Sequence, residues 1–168
     1  MKIPQKYFTR DELATEMQRR HQQGERSVFT NGCFDLLHLG HVRYLQAARR
    51  HGDFLVLGLN SDASTQRLKG PGRPYVPELE RAEILAALSC IDYVTIFDEP
   101  TASALIGLLH PAIYIKGGDY ASSPDGTFDP SRLPEAQVVQ EYGGSVQLIS
   151  YLPGHSTTAL IAKIRGEQ

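Results

Sequence analysis

Two histidines separated by two residues stand at the start of a helical pattern. His38 and His41 flank Leu39 and Gly40, and one helical turn brings side chains three residues apart to the same face. Gly40 has no side chain, so a bulky ligand can approach the backbone there. The free N–H groups and partial positive charge of a helix N-terminus favour anions. Two imidazoles, free amides and a glycine gap together indicate a polyphosphate site.

Two other interpretations of this segment remain open at this point. One histidine could cap the helix while the other packs inside, as is usual for a single histidine. A zinc site built from Cys33, His38 and His41 is conceivable, although the spacing resembles no common finger and a fourth ligand is hard to name. A dinucleotide-binding fingerprint is missing, because no G-x-G-x-x-G follows the first predicted strand.

Four polar or glycine-rich segments follow predicted strands, over 31–41, 60–62, 116–119 and 154–158. The carboxyl ends of parallel strands share one edge of a sheet, so all four segments are expected at a single ligand site. Ser156, Thr157 and Thr158 could cap a helix or bind phosphate oxygens. Their expected position beside the histidine turn favours phosphate.

Several charged residues are candidates for the same edge. The basic, breaker-rich segment 69–74 has the composition of a flap that closes over anions, or of a plain solvated turn. Arg81 could point at the same place or lie in solvent. Asp119 follows two glycines and could accept a ribose or sugar hydroxyl, or close a turn. Asp35 and Asp62 could contact ligand or stabilise loop backbone.

Apolar runs alternate with helical patterns along the chain. Strands are predicted over 27–30, 54–59, 93–97, 113–115 and 146–149, with helices between them, a short helix around Leu13 and Met17 before them and a helix around Leu160 after them. Such alternation predicts parallel strands joined by right-handed crossovers. The fold class is therefore α/β, a Rossmann-like doubly wound parallel sheet of about five strands with helices on both faces. We expect one domain over 1–168, with 1–26 as an N-terminal helical extension packed on it.

Composition narrows the classes of function. A formal charge of -2 over 168 residues argues against a general nucleic-acid binder, and 41% hydrophobic residues are ordinary for a globular protein. The two cysteines, Cys33 and Cys90, cannot form a disulfide framework and are expected to be reduced thiols. Neither a signal peptide nor a membrane span is visible, so we expect a cytoplasmic protein without membrane partners.

The motifs of this chain resemble a known superfamily. The string from Gly32 to His41 resembles the nucleotidyltransferases that carry the HxGH motif. A larger ordered set is similar to the D-glycero-β-D-manno-heptose 1-phosphate adenylyltransferases, and it consists of Phe29-Thr30-Asn31-Gly32-Cys33-Phe34-Asp35, Asn60-Ser61-Asp62-Ala63-Ser64, Arg67-Leu68-Lys69-Gly70, Gly72-Arg73-Pro74, Lys116-Gly117-Gly118-Asp119-Tyr120 and Pro153-Gly154-His155-Ser156-Thr157-Thr158. The resemblance runs from about Leu13 to Ile164.

The resemblance implies a reaction of ATP with heptose 1-phosphate that gives ADP-heptose and pyrophosphate, for the lipopolysaccharide inner core. Its substrates are a nucleoside triphosphate and a sugar phosphate, with Mg²⁺ as cofactor and no metal site made by the protein alone. Members of the family often carry this domain behind a sugar kinase domain, and this chain is expected to be the stand-alone form. A homodimer is a further option, with 93–98 as a candidate contact.

The expected roles divide the candidate residues into three groups. The catalytic group contains His38, His41 and Lys69. The nucleotide-binding group contains Thr30, Asn31, Gly32, Cys33, Phe34, Gly40, Lys116, Gly117, Ser156, Thr157 and Thr158. The substrate-binding group contains Asp35, Asn60, Asp62, Arg73, Arg81, Gly118 and Asp119.

One departure and two rival functions qualify this assignment. The wider superfamily often has an arginine after its hydroxyl motif, where this chain has Ile161, so the charge for phosphate must come from Lys69, Arg73 or Lys116. One rival is a cytidylyltransferase that acts on glycerol phosphate or a similar phosphorylated alcohol. The other is a nucleotide sensor without catalytic activity, and the intact His38/His41 pair argues against it.

Overall fold

The fold is an open sheet with helices on both sides. The computed structural model describes residues 6–117, 133–150, 152 and 154–166. In chain order the elements are α1 (Arg10–Gln22), β1 (Ser27–Gly32), α2 (Leu39–Arg49), β2 (Phe54–Asn60), α3 (Asp62–Lys69), α4 (Glu78–Ala86), β3 (Tyr93–Phe97), α5 (Ser103–Leu109), β4 (Ile113–Gly117), α6 (Pro134–Glu141), β5 (Ser145–Ile149) and α7 (Thr157–Arg165).

All neighbouring strands are parallel, in the order β3-β2-β1-β4-β5. Chain order therefore reverses between β1 and β4, and a crevice opens at the carboxyl ends of these two strands. The predicted Rossmann-like sheet of five strands is confirmed. The predictions for Gly118 and Asp119 lie outside the described residues.

Two apolar cores lie on opposite faces of the sheet, because side chains alternate along each strand. The α2 face carries Val28, Leu57 and Ile115, and helices α2 and α4 pack against it. The α1 face carries Phe29 and Tyr114, and helices α1, α5 and α6 pack against it. Both faces are covered, so the strands are apolar on both sides, as expected of a parallel sheet.

Helix α1 is joined to the second core by local and tertiary contacts. Thr9 caps its N-terminus in a capping box with Glu12, which satisfies otherwise unpaired N–H groups. Leu13 and Met17 face the sheet and are buried. Arg20 lies over the Phe54 ring, with 3.9 Å between its guanidinium carbon and the ring centroid. The predicted short helix is confirmed, and the packing makes it part of the core rather than a surface appendage.

Helix α3 was not predicted from the sequence. It contains few apolar residues, and its buried positions are the polar Ser64 and Thr65, so it lacks the apolar period that marks a helix. Ser61 caps it by accepting a hydrogen bond from the Ser64 N–H. Lys69 is consequently the last residue of a helix, and only the segment after it is the breaker-rich turn that the sequence predicts.

Strand β3 forms one edge of the sheet. The suggested homodimer contact over 93–98 lies on this edge and remains a prediction, because a single copy of the chain is described. Across the described residues, no helix combines the length and apolar character needed to cross a membrane.

Truncation of Leu13 should show how strongly α1 contributes to the fold. Leu13 is 0% exposed, so Leu13→Ala leaves a cavity and should lower the free energy of unfolding by about 2–5 kcal/mol. Leu108 on α5 is 44% exposed, and Leu108→Ala should change it by less than about 1 kcal/mol. Urea denaturation measures both values. Similar effects of the two variants would contradict the packing of α1 in the core.

Candidate nucleotide-binding site

A cavity of about 450 Å³ lies in the crevice between β1 and β4, where the sequence motifs predict a ligand. Its lining residues are Asn31, Gly32, Cys33, Phe34, Asp35, His41, Tyr44, Leu68, Lys69, Arg73, Lys116, Gly117, Thr157, Thr158 and Ile161. Three of the four predicted segments thus meet at this site within the described residues.

The two histidines of the motif are stacked on each other. His38 is the N-cap of α2 in an extended conformation, and its ring centroid lies 3.8 Å from that of His41 with 23° between the planes. The Phe34 ring packs against His41 at 5.2 Å. Both Nδ1 atoms are buried, and neither has a hydrogen-bond partner within the described part of the chain. The imidazoles therefore carry unused polar capacity at the helix N-terminus, as an anion site requires.

Burial keeps both rings uncharged at neutral pH. It lowers the pKa of His41 to about 4, and the nearby His38 lowers it further in the same direction. The pKa of His38 is also lowered, first by burial and then by His155. A third histidine, His155, lies close to the pair just before α7. It was not among the predicted site residues. An anion bound here would favour the charged forms and oppose this depression.

Gly40 is required by the close packing of this pair. A Cβ at position 40 would lie 3.0 Å from the His38 ring and 3.0 Å from Cβ of His155. Any side chain would push the His38 ring or the start of α7 away. The glycine that the sequence predicts as a gap for ligand thus also gives space to two histidines.

Asp35 holds the segment that follows α3. Its Oδ1 accepts hydrogen bonds from the backbone N–H groups of Tyr75 (2.7 Å) and Val76 (3.0 Å). Its Oδ2 lies 2.8 Å from Nε of Arg73 at an angle too bent for a hydrogen bond, so that contact is an ion pair. The carboxylate is buried, and the neighbouring Phe34 has a left-handed backbone with φ 45. The prediction that Asp35 could stabilise loop backbone is the one that fits these contacts.

Arg81 connects several loops from a buried position. It is 1% exposed, and its guanidinium donates to the carbonyls of Val76, Cys33 and Asn60 and to the Asp62 carboxylate. The sequence suggested a ligand contact or a solvated surface arginine; burial shows that the second alternative is wrong, and the first stays a prediction. These hydrogen bonds fix the ends of β1 and β2 relative to α4, so Arg81 positions the lining and does not face the cavity.

Four other predicted residues lie behind or beside the cavity rather than in its lining. The Thr30 hydroxyl bonds that of Tyr44, which donates to the Ile115 carbonyl, so Thr30 anchors α2 to the sheet. Asn60 donates to Ser64. The remaining two have partners in other elements: Asp62 pairs with Arg81, and Ser156 caps α7 by accepting from the Ala159 N–H.

Three lining residues were not predicted as site residues. Tyr44, Leu68 and Ile161 come from helices, and none of them carries a charge or lies in a polar segment that would mark it as a ligand contact. Ile161 was predicted to be unable to hold phosphate, and it contributes apolar surface to the lining. Tyr44 could have been predicted, because a tyrosine on the helix that carries the two histidines can direct its hydroxyl towards the strand ends, as the contacts with Thr30 and Ile115 show.

The described residues contain no group of three or more His, Cys, Asp or Glu side chains arranged to hold a metal ion. The zinc alternative from Cys33, His38 and His41 gains no support from this arrangement, and both cysteines are free thiols. Oxygen donors in the lining include the Thr157 and Thr158 hydroxyls and Asp35, whose carboxylate is engaged by the loop. A magnesium ion would fit here only when carried by phosphate oxygens, which is its usual mode of binding to nucleotides.

His41 should give the free energy of unfolding a pH dependence. Its folded-state pKa of about 4 lies below the ordinary value of 6.5, so between these values the unfolded chain binds a proton that the folded chain does not. The contribution of His41 to the free energy of unfolding is therefore fully present above about pH 6.5, and it is lost as the pH falls towards 4. In His41→Asn the decline between about pH 7 and pH 4.5 should be smaller by about 1–3 kcal/mol.

Urea denaturation at both pH values measures this difference. The matched control is His51→Asn, because His51 is exposed in the turn that follows the same helix. That control should keep the decline of the unaltered chain. A His41→Asn protein with an undiminished decline would show that burial does not keep this ring neutral.

Comparison with known proteins agrees with this geometry. Residues 29–163 match the model of the cytidylyltransferase-like family. Proteins named "Bifunctional protein HldE" are 54% identical over 155 residues in Geotalea uraniireducens and 56% identical over 154 residues in Geobacter sulfurreducens. Each alignment covers 92% of this chain and 30% of the relative, so the chain spans about three tenths of the length of these curated relatives.

A solved structure gives independent support for the fold. It is the crystal structure of the lipopolysaccharide core biosynthesis protein from Thermoplasma volcanium, with a TM-score of 0.59 and 27% identity. The match covers 77% of this chain and 98% of that chain. The resemblance that the motifs indicated is confirmed by the family match and by these relatives. This chain belongs to the cytidylyltransferase-like family.

Proposed function

We propose that this chain joins the AMP part of ATP to D-glycero-β-D-manno-heptose 1-phosphate, with release of pyrophosphate and formation of ADP-heptose. The observation that carries the proposal is the half-buried, stacked His38–His41 pair at the N-terminus of α2, of which His41 lines the crevice together with Thr157 and Thr158. The choice of heptose 1-phosphate as the acceptor rests on the ordered motifs of the sequence. The lipopolysaccharide core function named for the Thermoplasma structure supports the same pathway.

The acceptor needs no general base. The second pKa of a sugar phosphate is about 6, so the phosphate is mostly a dianion at neutral pH. One of its oxygens attacks the α-phosphorus of ATP, a P–O bond forms, and the bond to the pyrophosphate oxygen breaks. His41, with a pKa of about 4, is too weak a base to remove a proton from any acceptor. Its role is to donate a hydrogen bond as charge develops on the α-phosphate.

The remaining groups surround the phosphates. Thr157 and Thr158 stand at the N-terminus of α7, where hydroxyls and free amides suit the β- and γ-phosphates. Lys69 and Arg73 supply positive charge from the segment at the end of α3, and the Asp35 contacts hold Arg73 in place. The phosphate oxygens of ATP would hold Mg²⁺ beside the Thr157 and Thr158 hydroxyls, where the ion would supply charge neutralisation for the leaving pyrophosphate.

An assay of pyrophosphate release should identify the substrates. ATP and CTP are each combined with heptose 1-phosphate, glycerol 3-phosphate and other phosphorylated alcohols, and products are identified by mass. ATP with heptose 1-phosphate is expected to give the highest kcat/KM. The match to a cytidylyltransferase-like model keeps CTP with glycerol phosphate as the alternative outcome. Nucleotide binding without pyrophosphate release for any acceptor would indicate a sensor and overturn the proposal.

Removal of His41 should reduce turnover while the fold persists. Loss of one preorganised donor to a developing charge costs about 2.7–4 kcal/mol, so kcat of His41→Ala should fall by about 10²–10³. The control is His51→Ala, on the exposed turn after the same helix, which should retain kcat. Circular dichroism and urea denaturation verify folding. Near-normal turnover of folded His41→Ala would remove this residue from the mechanism.

A further inference from the structure

Asn31 has a fixed amide orientation at the floor of the cavity. Its Oδ1 accepts hydrogen bonds from the Tyr114 hydroxyl at 2.8 Å and from Nζ of Lys116 at 3.0 Å. An ammonium group can only donate, so the amide atom facing Lys116 must be the oxygen. The Nδ2 end of Asn31 is then a donor on the other side of the amide. Two donors, Asn31 Nδ2 and Lys116 Nζ, are thus placed together in the cavity lining.

Tyr114 gives this arrangement its rigidity. Its side chain is 0% exposed, it packs beside Phe29 with 6.1 Å between ring centroids, and it pairs with Phe29 across β1 and β4. Tyr114 and Lys116 are two residues apart on β4, and Phe29 and Asn31 are two apart on β1, so all four lie on the α1 face. The Tyr114 hydroxyl therefore reaches Asn31 from a position set by the core.

The histidines and threonines lie on the other side of the crevice. His41 projects from α2, and α7, which carries Thr157 and Thr158, has Leu160 against the apolar lining made by Phe34 and Ile84 on the α2 face. The cavity is consequently bounded by one set of polar groups from each face of the sheet. Displacement at phosphorus places the attacking and leaving oxygens roughly in line on opposite sides of the reacting atom.

Electrostatics also indicates an anion on the α1 face. Burial lowers the pKa of Lys116, Glu135 on α6 and Cys33 act in the opposite sense, and Lys69, which lines the same cavity, contributes a smaller lowering. A dianion bound beside Lys116 would favour its charged form and oppose the effect of burial. The triphosphate already has partners on the α2 face, so the second anion of the reaction is the natural occupant.

We propose that Asn31 and Lys116 form the subsite for the phosphate of the acceptor, and that Tyr114 is a positioning residue that fixes the Asn31 amide, to which Lys116 also donates. This assigns to the acceptor two residues that the motifs alone placed with the nucleotide. The inference rests on the proposed function for its acceptor, and the placement of Asn31 and Lys116 together in the lining supports it. The ligand class is a phosphate monoester of a sugar or other alcohol.

Tyr114→Phe removes one hydroxyl and keeps the ring in the core. The KM for the phosphorylated acceptor should rise by about three- to tenfold, while the KM for ATP stays within about twofold, because one hydrogen bond to the acceptor subsite is lost. The control is Tyr142→Phe, which deletes a hydroxyl that donates to the Pro111 carbonyl away from the cavity, and it should change neither KM. A rise in the KM for ATP alone, or in neither, would overturn the inference.

A binding measurement separates this inference from the proposed function. Inorganic phosphate is titrated by calorimetry into the protein saturated with α,β-methylene ATP, which fills the triphosphate site without reaction. Tyr114→Phe should weaken phosphate binding by about three- to tenfold and Lys116→Gln should weaken it more, with Tyr142→Phe unchanged. This result would uphold the phosphate subsite even if heptose 1-phosphate were not the substrate. Equal phosphate binding by all four proteins would reject the subsite even if ADP-heptose were formed.

Discussion

The stacking of two half-buried, uncharged imidazoles at the N-terminus of α2 is the constraint around which the site is arranged. The stacked rings of His38 and His41 are kept neutral by burial, and their Nδ1 atoms remain without partners in the described structure. Such unused polar groups are costly in an empty protein and are compensated when an anion arrives. Gly40 is part of the same constraint, because a side chain there would separate the pair from His155. The unpaired Nδ1 atoms therefore lower the stability of the protein without ligand, and the same atoms form a preorganised anion site.

The buried side chains of Asp35 and Arg81 fix the loops around this site. Asp35 holds the backbone at Tyr75 and Val76 together with Arg73, and Arg81 holds the ends of β1 and β2 through the carbonyls of Cys33 and Asn60. Neither group has the freedom to follow a ligand, because each is committed to several protein partners. Their contribution is to keep Arg73 and the strand ends at fixed positions in the lining. Removal of one partner from a buried charge is strongly destabilising, so the loop contacts made by Asp35 and by Arg81 are expected to form or break together.

The fold and the location of the site followed from the sequence because their signals are local. Alternation of apolar strands with helical patterns predicted the sheet, and segments after strands predicted the crevice that now contains Asn31, Lys116 and Thr157. The roles of individual charges did not follow, because they depend on partners distant in the chain. Arg81 is 48 residues from the Cys33 carbonyl, and no spacing in the sequence reveals that contact. Helix α3 was missed for a related reason, since its buried side chains are hydroxyls rather than apolar groups.

The alternation of side chains in β1 and β4 also explains how one small cavity can hold two anions. Odd-numbered Phe29 and Asn31 face α1, whereas even-numbered Val28 and Thr30 face α2, so a strand end presents different chemistry on its two sides. On the α2 side the donors are imidazoles and helix termini, which can accommodate a flexible polyphosphate. On the α1 side Tyr114, within a rigid core, holds the Asn31 amide, and Lys116 donates to the same amide oxygen, so these donors can select by position. The two sets of donors meet at the strand ends, where Gly32 and Gly117 contribute backbone rather than side chains to the lining.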